Sequence, residues 1–341
     1  MYQNTKQGDE IRGRTLVHLF VDGIAPRYDA LSSRTPEEFE MNDARDEIVR
    51  MLELEEVVED RYVGQSTDLG WGRLFGGHVL AQALSSASRT VPQQWLVHSL
   101  HAYFLRPGAV DAQILYEVDR IRDGRSFTTR RVVARQRGEV ILNLSASFHR
   151  EEQGFEHQLP MPDVPGPDQL RSELDLRREV VDKIPEAHRE RWLRERPIET
   201  RPVETINFLE PEVRDPVRHL WFRTRDSVPD DPARHRWLLA YASDFALLGT
   251  ALLPHGVPFM GHGMQVASLD HAMWFHRDFK VDDWLLYAMD SPSASNAVGF
   301  TRGSIFNRDG VMVASVVQEG LIRRRAAKPK EEITTQKNGS Q

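Results

Sequence analysis

The chain of 341 residues contains no cysteine, which excludes disulfides, thiolate nucleophiles and cysteine-ligated metal. It is short of positive charge: 44 lysines and arginines face 51 acidic residues, for a net charge of −7. Phosphate recognition favours basic patches, so no nucleic-acid partner is expected. No window approaches about 18 uninterrupted apolar residues, so no membrane span is expected either. The N-terminal region, with Asp9, Glu10, Asp22 and Glu37-Glu38-Phe39-Glu40, suits neither a signal peptide nor an acid-poor transit peptide. Its last residues, Gly339-Ser340-Gln341, are not an address of the Ser-Lys-Leu type. The cytoplasm is therefore the expected compartment, ahead of the peroxisome.

Several motifs are missing as well. There is no Gly-x-Ser-x-Gly elbow, no His-Glu-x-x-His helix and no Walker phosphate loop. His255, His262, His271 and His276 lie in one region, but their spacings fit no zinc template. They are read as packing or surface residues, and neither a metal nor a cofactor is expected. Gly70-Trp71-Gly72 and Gly261-His262-Gly263 lack the strand–turn–helix context of a dinucleotide fingerprint and are read as loops.

What the chain does contain is an internal repeat at an offset of about 170 residues. Gly76-Gly77-His78-Val79-Leu80-Ala81-Gln82 is matched with Asp244-Phe245-Ala246-Leu247-Leu248-Gly249-Thr250, and Ser99 to Phe104 with Ser268 to Phe275. Ile114 to Asp119 parallels Leu285 to Asp290, and Gly138 to Arg150 parallels Gly310 to Arg323. Where the first copy has Gly76 and Ala146, the second has Asp244 and Gln318. Polar groups in one copy only imply a pseudo-dimer with a single chemically armed site.

Periodicity organises each copy. Residues 1–46 are polar and proline-punctuated, an N-terminal extension expected to be partly disordered. The first unit, residues 47–150, opens with helical spacing over Asp46–Leu54 and a short strand near Val63. After Gly76-Gly77, Leu80, Ala83, Leu84 and Ala87 mark a buried helix. Four strands are expected over 97–105, 112–122, 126–136 and 139–150, separated by turn signals. Residues 151–198 read as a proline-rich linker followed by a charged, solvated connecting helix. The second unit, 199–325, repeats the pattern, with a strand at 220–225 and a helix expected from Asp244 to Leu253. Strands follow over 264–275, 284–290, 298–307 and 311–323, with a hairpin signal at Asp309-Gly310. Residues 326–341 form a polar tail expected to be mobile. Two copies of a helix packed on an antiparallel sheet make an α+β fold.

Three residues of the second unit can carry chemistry. Asp244 at the expected helix start reads first as an N-cap, a role that also keeps a carboxylate ionised and able to accept a proton from water. Gln318 lies on the inward face of the last strand, with Met312, Ala314 and Val316. A buried amide there needs partners, either a structural hydrogen bond or a bound water or carbonyl. Ser268, in Gln265-Val266-Ala267-Ser268-Leu269-Asp270, poses the same alternative.

Taken together, these blocks resemble the acyl-CoA thioesterase II (TesB-like) family over roughly Glu47 to Arg325. The resemblance is carried by Phe75 to Ala83, Arg106-Pro107-Gly108, Asp123-Gly124-Arg125-Ser126-Phe127 and Ala242-Ser243-Asp244. Ser268 to Arg277 and Asp309 to Gly320 add to it. It implies a double hot-dog fold: two tandem antiparallel sheets, each wrapping a central helix, joined as a pseudo-dimer. It also implies hydrolysis of fatty acyl-CoA to free acid and CoA. By resemblance, Asp244, Ser268 and Gln318 hydrogen-bond the attacking water, with Ser standing where the family has Thr or Ser. Gly76, Gly77 and His78 are candidate substrate-binding residues at the first helix start. Arg125 and Arg277 are candidates for the CoA phosphates. Acyl-CoA is then the partner, and a homodimer or higher homo-oligomer is compatible with the fold. Two rival readings remain at this point. One is a hot-dog hydratase or dehydratase using His78, and the other is a non-catalytic acyl-CoA binding module.

Overall fold

The computed structural model describes residues 48, 50–205, 207, 209–259 and 263–325. The expected N-terminal extension (1–46), the tail (326–341), Gly261 and His262 therefore lie outside the described residues, as do positions 47 and 49 of the helical run expected over 46–54. At its end Ile48, Met51 and Leu52 are buried, and a strand starts at Leu54.

Six strands form the first half: β1 (Leu54–Val58), β2 (Arg61–Gly64), β3 (Leu96–Phe104), β4 (Ile114–Asp123), β5 (Phe127–Gln136) and β6 (Glu139–His149). Seven form the second: β7 (Ile198–Pro202), β8 (Val217–Thr224), β9 (Met264–Ser268), β10 (Asp270–Phe275), β11 (Leu285–Ser295), β12 (Val298–Asn307) and β13 (Met312–Arg324). Helices α1 (Gly76–Ser88), α2 (Glu173–Glu179), α3 (Glu186–Leu193) and α4 (Pro232–Ser243) complete the set. The strands join in the order β1-β2-β4-β5-β6-β3-β10-β13-β12-β11-β8-β7, with β9 beside β13. Read inward from either edge, the two halves have the same order. They meet at an antiparallel seam, with Tyr103 opposite Asp270 and Ser99 opposite Trp274.

Alternation places the core. Along β5 and β6 every second residue is buried, and Val132, Ala134, Leu142, Leu144 and Phe148 point at α1. The hairpin turns carry the residues their backbone requires. Arg137 and Gly138 both have positive φ, and Gly310 follows Asn307, whose side chain accepts from the N–H groups of Asp309 and Val311. One hydrophobic cluster runs through both halves, joining Leu80, Ala83 and Leu84 of α1 to Leu238, Leu239 and Ala242 of α4.

The second central helix is not where the repeat put it. It runs from Pro232 to Ser243 and so ends before Asp244, whereas a helix was expected to start there. Its true start carries ordinary signals: Asp231 caps it by accepting from the Ala233 N–H at 3.0 Å, and Pro232 occupies the first turn. Periodicity missed it because the helix is buried around most of its circumference, so His235 and Arg236 interrupt any apolar stripe. The apolar residues after Asp244 instead form a 3-10 segment, Leu248–His255. Between the two, Ala246 adopts φ +65°, a left-handed conformation strained for a residue with a Cβ. By length and composition Pro232–His255 is apolar enough to cross a membrane, but most of it is this core helix and turn, 67% buried inside the fold.

Two other expectations change. The strand expected over 264–275 is broken at Leu269 into β9 and β10, which lie end to end along β13. Of the connecting helices, α2 is not simply solvated, since Leu174 and Arg177 are buried, whereas α3 buries none of its residues.

Helices α1 and α4 cross closely because Gly77 lacks a side chain. A Cβ there would sit 2.3 Å from the Tyr241 carbonyl oxygen, a backbone atom with no freedom to yield. Gly77→Ala is therefore expected to destabilise the fold by about 1–3 kcal/mol, as overpacking does. Urea unfolding with an unchanged m-value is the check.

Candidate functional site

The first turn of α1 lacks a cap of its own. Phe75 precedes it in extended conformation and has no side chain able to accept a hydrogen bond. The acceptor comes from the other half of the chain: Asp244 Oδ2 receives the Gly77 N–H at 2.9 Å. Asp244 thus caps a helix, as the sequence suggests, but the helix is that of the opposite copy. Gly76 and Asp244, matched as equivalents in the repeat, are in fact neighbours. A Cβ on Gly76 would fall 2.7 Å from Asp244 Oδ2. Trp71, Phe75, Tyr241 and Phe245 pack edge-on or tilted around this junction, with Phe75 and Phe245 centroids 4.4 Å apart.

Asp244 follows the last residue of α4, so it feels the negative end of its own helix and the positive end of α1. Its second oxygen accepts from Gln318 Nε2 at 2.7 Å. Burial is the largest influence on its pKa and pushes it up. Donation from Gln318, then Gly77, then Ser268 opposes this, leaving a value of about 6. A carboxylate at that value is ionised at neutral pH yet basic enough to take a proton. Gln318 is fully buried on β13, where its backbone carbonyl accepts from Thr301, and its Oε1 has no partner among the described residues. Ser268, at the end of β9, faces a cavity that Asp244 and Gly76 also line.

That cavity has a volume of about 1080 Å³. Phe75, Val79, Leu248, Leu252, Leu253 and Val266 give it an apolar wall. The opposite wall comes from the connecting segment, with Glu173, Arg177, His188 and Arg196. Sequence reasoning missed these residues because a charged composition reads as solvated. The available signal was Glu173 four residues before Arg177, with the apolar Leu174 between them. Here Glu173 Oε1 accepts from Arg177 Nη2 at 2.7 Å, and Oε2 accepts from Thr200 Oγ1 at 2.6 Å. Burial would raise the Glu173 pKa, but Arg177, Arg196, Thr200 and Arg218 outweigh it and hold the carboxyl at about 2.

Asp244, Ser268, Gln318, Gly76 and Gly77 are thus brought together, and the remaining candidates are not. His78 is buried away from the cavity, its Nε2 within 2.8 Å of the Gln65 carbonyl oxygen. Burial lowers its pKa to about 4, against the effect of that hydrogen bond. Arg125 is exposed in the β4–β5 turn. Arg277 donates to the Met312 and His157 carbonyls and ties the linker to the sheet. Neither arginine lines the cavity. Among the described residues no group of three His, Asp or Glu is placed to hold a metal ion.

Comparisons with known proteins agree with this architecture. A family model described as acyl-CoA thioesterase matches residues 187–321, and one described as acyl-CoA thioesterase N-terminal domain matches residues 67–149. Acyl-CoA thioesterase 2 of Haemophilus influenzae is 40% identical over 283 residues, covering 83% of this chain and 99% of that protein. The solved structure of acyl-CoA thioesterase II TesB2 from Mycobacterium marinum is 40% identical with a TM-score of 0.67, covering 83% of this chain and 99% of that one. A hot-dog-fold protein of unknown function from Alicyclobacillus acidocaldarius, 20% identical, superposes with a TM-score of 0.66 over 82% of this chain and 99% of its own. The last is a likeness of fold alone, and the fold is the double hot-dog.

Two buried histidines set an acid limit to stability. Burial lowers His78 to about 4 and His271 to about 3, from 6.5 in the unfolded chain. Each contributes stability that is complete above about pH 6.5 and is lost as the pH falls, at up to about 1.4 kcal/mol per pH unit. Asp244, raised from 3.8 to about 6, acts in the opposite sense between those values but is a single group. The urea midpoint is expected to fall from pH 7 to pH 5; a flat midpoint contradicts neutral burial of the two rings.

Proposed function

Because the chain belongs to the acyl-CoA thioesterase family, we propose that it hydrolyses fatty acyl-CoA to free acid and CoA with water activated by Asp244. The observation that carries this reading is the Asp244 carboxylate, buried at the cavity wall between Gly77 N–H and Gln318 Nε2 with a pKa of about 6.

A water held by Asp244 and Ser268, with Gln318 Oε1 as a further acceptor, gives one proton to the carboxylate as its oxygen bonds the thioester carbonyl carbon. The carbonyl oxygen then carries negative charge. In the first turn of α1, Gly77 N–H is taken by Asp244 and His78 N–H by the Phe75 carbonyl. Gly76 N–H has no partner among the described residues, and Gly76 lines the cavity, so we assign it the oxyanion. Collapse breaks the C–S bond, and the proton on Asp244 passes to the departing thiolate. A thiolate leaves readily, so a single base with positioned donors suffices. General-base assistance of this kind is typically worth about 10²–10⁴-fold.

The two hot-dog units span residues 47–150 and 199–325, the enzyme acts in the cytoplasm, and copies of the chain self-associate.

Thiol release from a medium- or long-chain acyl-CoA tests the reading against a dehydratase. Asp244→Asn is expected to lower kcat by at least about 10²-fold while leaving the fold at least as stable near pH 8, since it removes a buried charge. His78→Ala should lose stability yet keep most activity per folded molecule. The opposite pattern returns the site to His78. For the wild type, kcat/KM should fall about tenfold per pH unit below pH 6, as Asp244 takes up its proton.

A further inference from the structure

Directly behind Asp244 three polar side chains are packed in the core. Ser243 ends α4, His271 comes from β10 and Tyr287 from β11, and all three are buried. None of them lines the cavity, so none is placed to touch a substrate. The Ser243 hydroxyl donates its one hydrogen to the Ala240 carbonyl at 3.0 Å, so His271 Nε2, 2.9 Å away, is the donor to that oxygen. His271 Nδ1 is then an acceptor, and it has no partner among the described residues. Burial lowers the His271 pKa to about 3, so the ring is neutral.

The carbonyl of Ser243 is one of those a helix leaves unpaired at its end, and the Tyr287 hydroxyl donates to it at 2.9 Å. Burial first, and then the charge of Asp244, raise the phenol pKa well above its ordinary value, so the hydroxyl keeps its proton. The ring reaches this place by leaning over β12, where a Cβ on Gly303 would stand 2.2 Å from Tyr287 Cε2. Gly303 has no positive φ, so its missing side chain serves the ring and not a turn. A buried polar group of this size costs desolvation, and what it gives in return is a fixed geometry. What it fixes is the peptide that leads into Asp244. The carboxylate must meet Gly77 N–H at 2.9 Å and Gln318 Nε2 at 2.7 Å together, and such bonds weaken steeply when misaligned. Its other donor is Ser268 of β9, and Tyr287 is the titratable group that its charge reaches.

We propose that Tyr287, aided by His271, is a positioning residue for the reaction: gripping Ser243 from the sheet, the pair holds the Asp244 carboxylate where it spans α1 and β13. This rests on Asp244 as the base of the thioesterase reading and adds residues that act only through it.

The experiment measures kcat and KM for decanoyl-CoA against pH on the full chain, for Tyr287→Phe and His271→Leu, each alone and combined with Asp244→Asn. Tyr287→Phe keeps the ring over Gly303 and removes only the hydroxyl. Its kcat is expected to fall about 10–100-fold with KM unchanged, since a misplacement of about 1 Å costs on the order of 10²-fold. With donation from Gln318 and Gly77 weakened, burial prevails at Asp244. The acid limb of kcat/KM should therefore move up from about pH 6, by about 0.5–1 unit, the equivalent of one hydrogen bond. His271→Leu deletes a buried nitrogen that has no partner among the described residues, so near pH 8 it should unfold in urea no earlier than wild type. It should nevertheless show both kinetic changes in smaller degree, and activity lost without stability is what mere support of the fold would not give. In the Asp244→Asn background neither substitution should lower the residual rate further, because both act through the carboxylate. A kcat per folded molecule and an acid limb unmoved in both variants overturn the proposal, as does an equal further loss in the Asp244→Asn background. NMR of isotopically labelled aspartate carboxyls supplies a readout without turnover. The resonance missing from Asp244→Asn should titrate near pH 6 in the wild type and higher in Tyr287→Phe. If the wild type cleaves no thioester and that resonance still moves, the hydrolase reading fails and the positioning stands. If the wild type cleaves and the resonance stays, the hydrolase reading stands and the positioning falls.

Discussion

The contact on which the site depends is the abutment of the first turn of α1 against the last turn of α4. A helix start without a cap needs an acceptor, and a carboxylate carried into the interior needs donors. Each need is met by the other across the Gly77–Asp244 hydrogen bond. The two missing side chains at Gly76 and Gly77 make the approach geometrically allowed, and the aromatic group around Phe75 holds it in place. The raised basicity of Asp244 follows from the same contact. Burial lifts its pKa, and three donors keep it from rising so far that the group would be protonated at neutral pH.

The two halves have diverged most where they would otherwise be equivalent. In the second, Gln318 lies opposite Thr301 in the ladder, and Thr301 is small enough to leave room for the amide to reach Asp244. In the first, Ala146 lies opposite Arg130, whose buried guanidinium bonds the hydroxyl and carbonyl of Thr90 beyond the C-terminal end of α1. The corresponding interior is thus filled by a structural cation. The strand ladder has kept its register while the contents of the two sites have been exchanged.

How much of this could be read from the chain depends on which signals burial erases. Strands β3 to β6 and β11 to β13 alternate cleanly because one face is wet, and the repeat between them is plain. Helix α4 is invisible to the same test because it is covered nearly all round, so the apolar run after Asp244 drew the helix to the wrong place. Asp244, Ser268 and Gln318 were legible from family resemblance. The Gly76-Gly77 segment was also a candidate for the same site, but its direct hydrogen bond to Asp244 was not legible, since the repeat presents Gly76 and Asp244 as counterparts. The charged linker misled for a different reason: Glu173 and Arg177 satisfy each other, and a mutually neutralised pair can be buried where either alone could not.

The seam between β3 and β10 makes one continuous ribbon of the two halves, with the Asp244 carboxylate supplied by one and the Gly77 N–H that it accepts by the other. Neither half could be inherited, excised or replaced alone without dismantling the centre. In a symmetric pair of separate chains, every change at the helix junction would fall on both centres at once. Covalent fusion removes that coupling, so one junction can hold a buried carboxylate of raised pKa while its twin is filled by the Arg130 guanidinium.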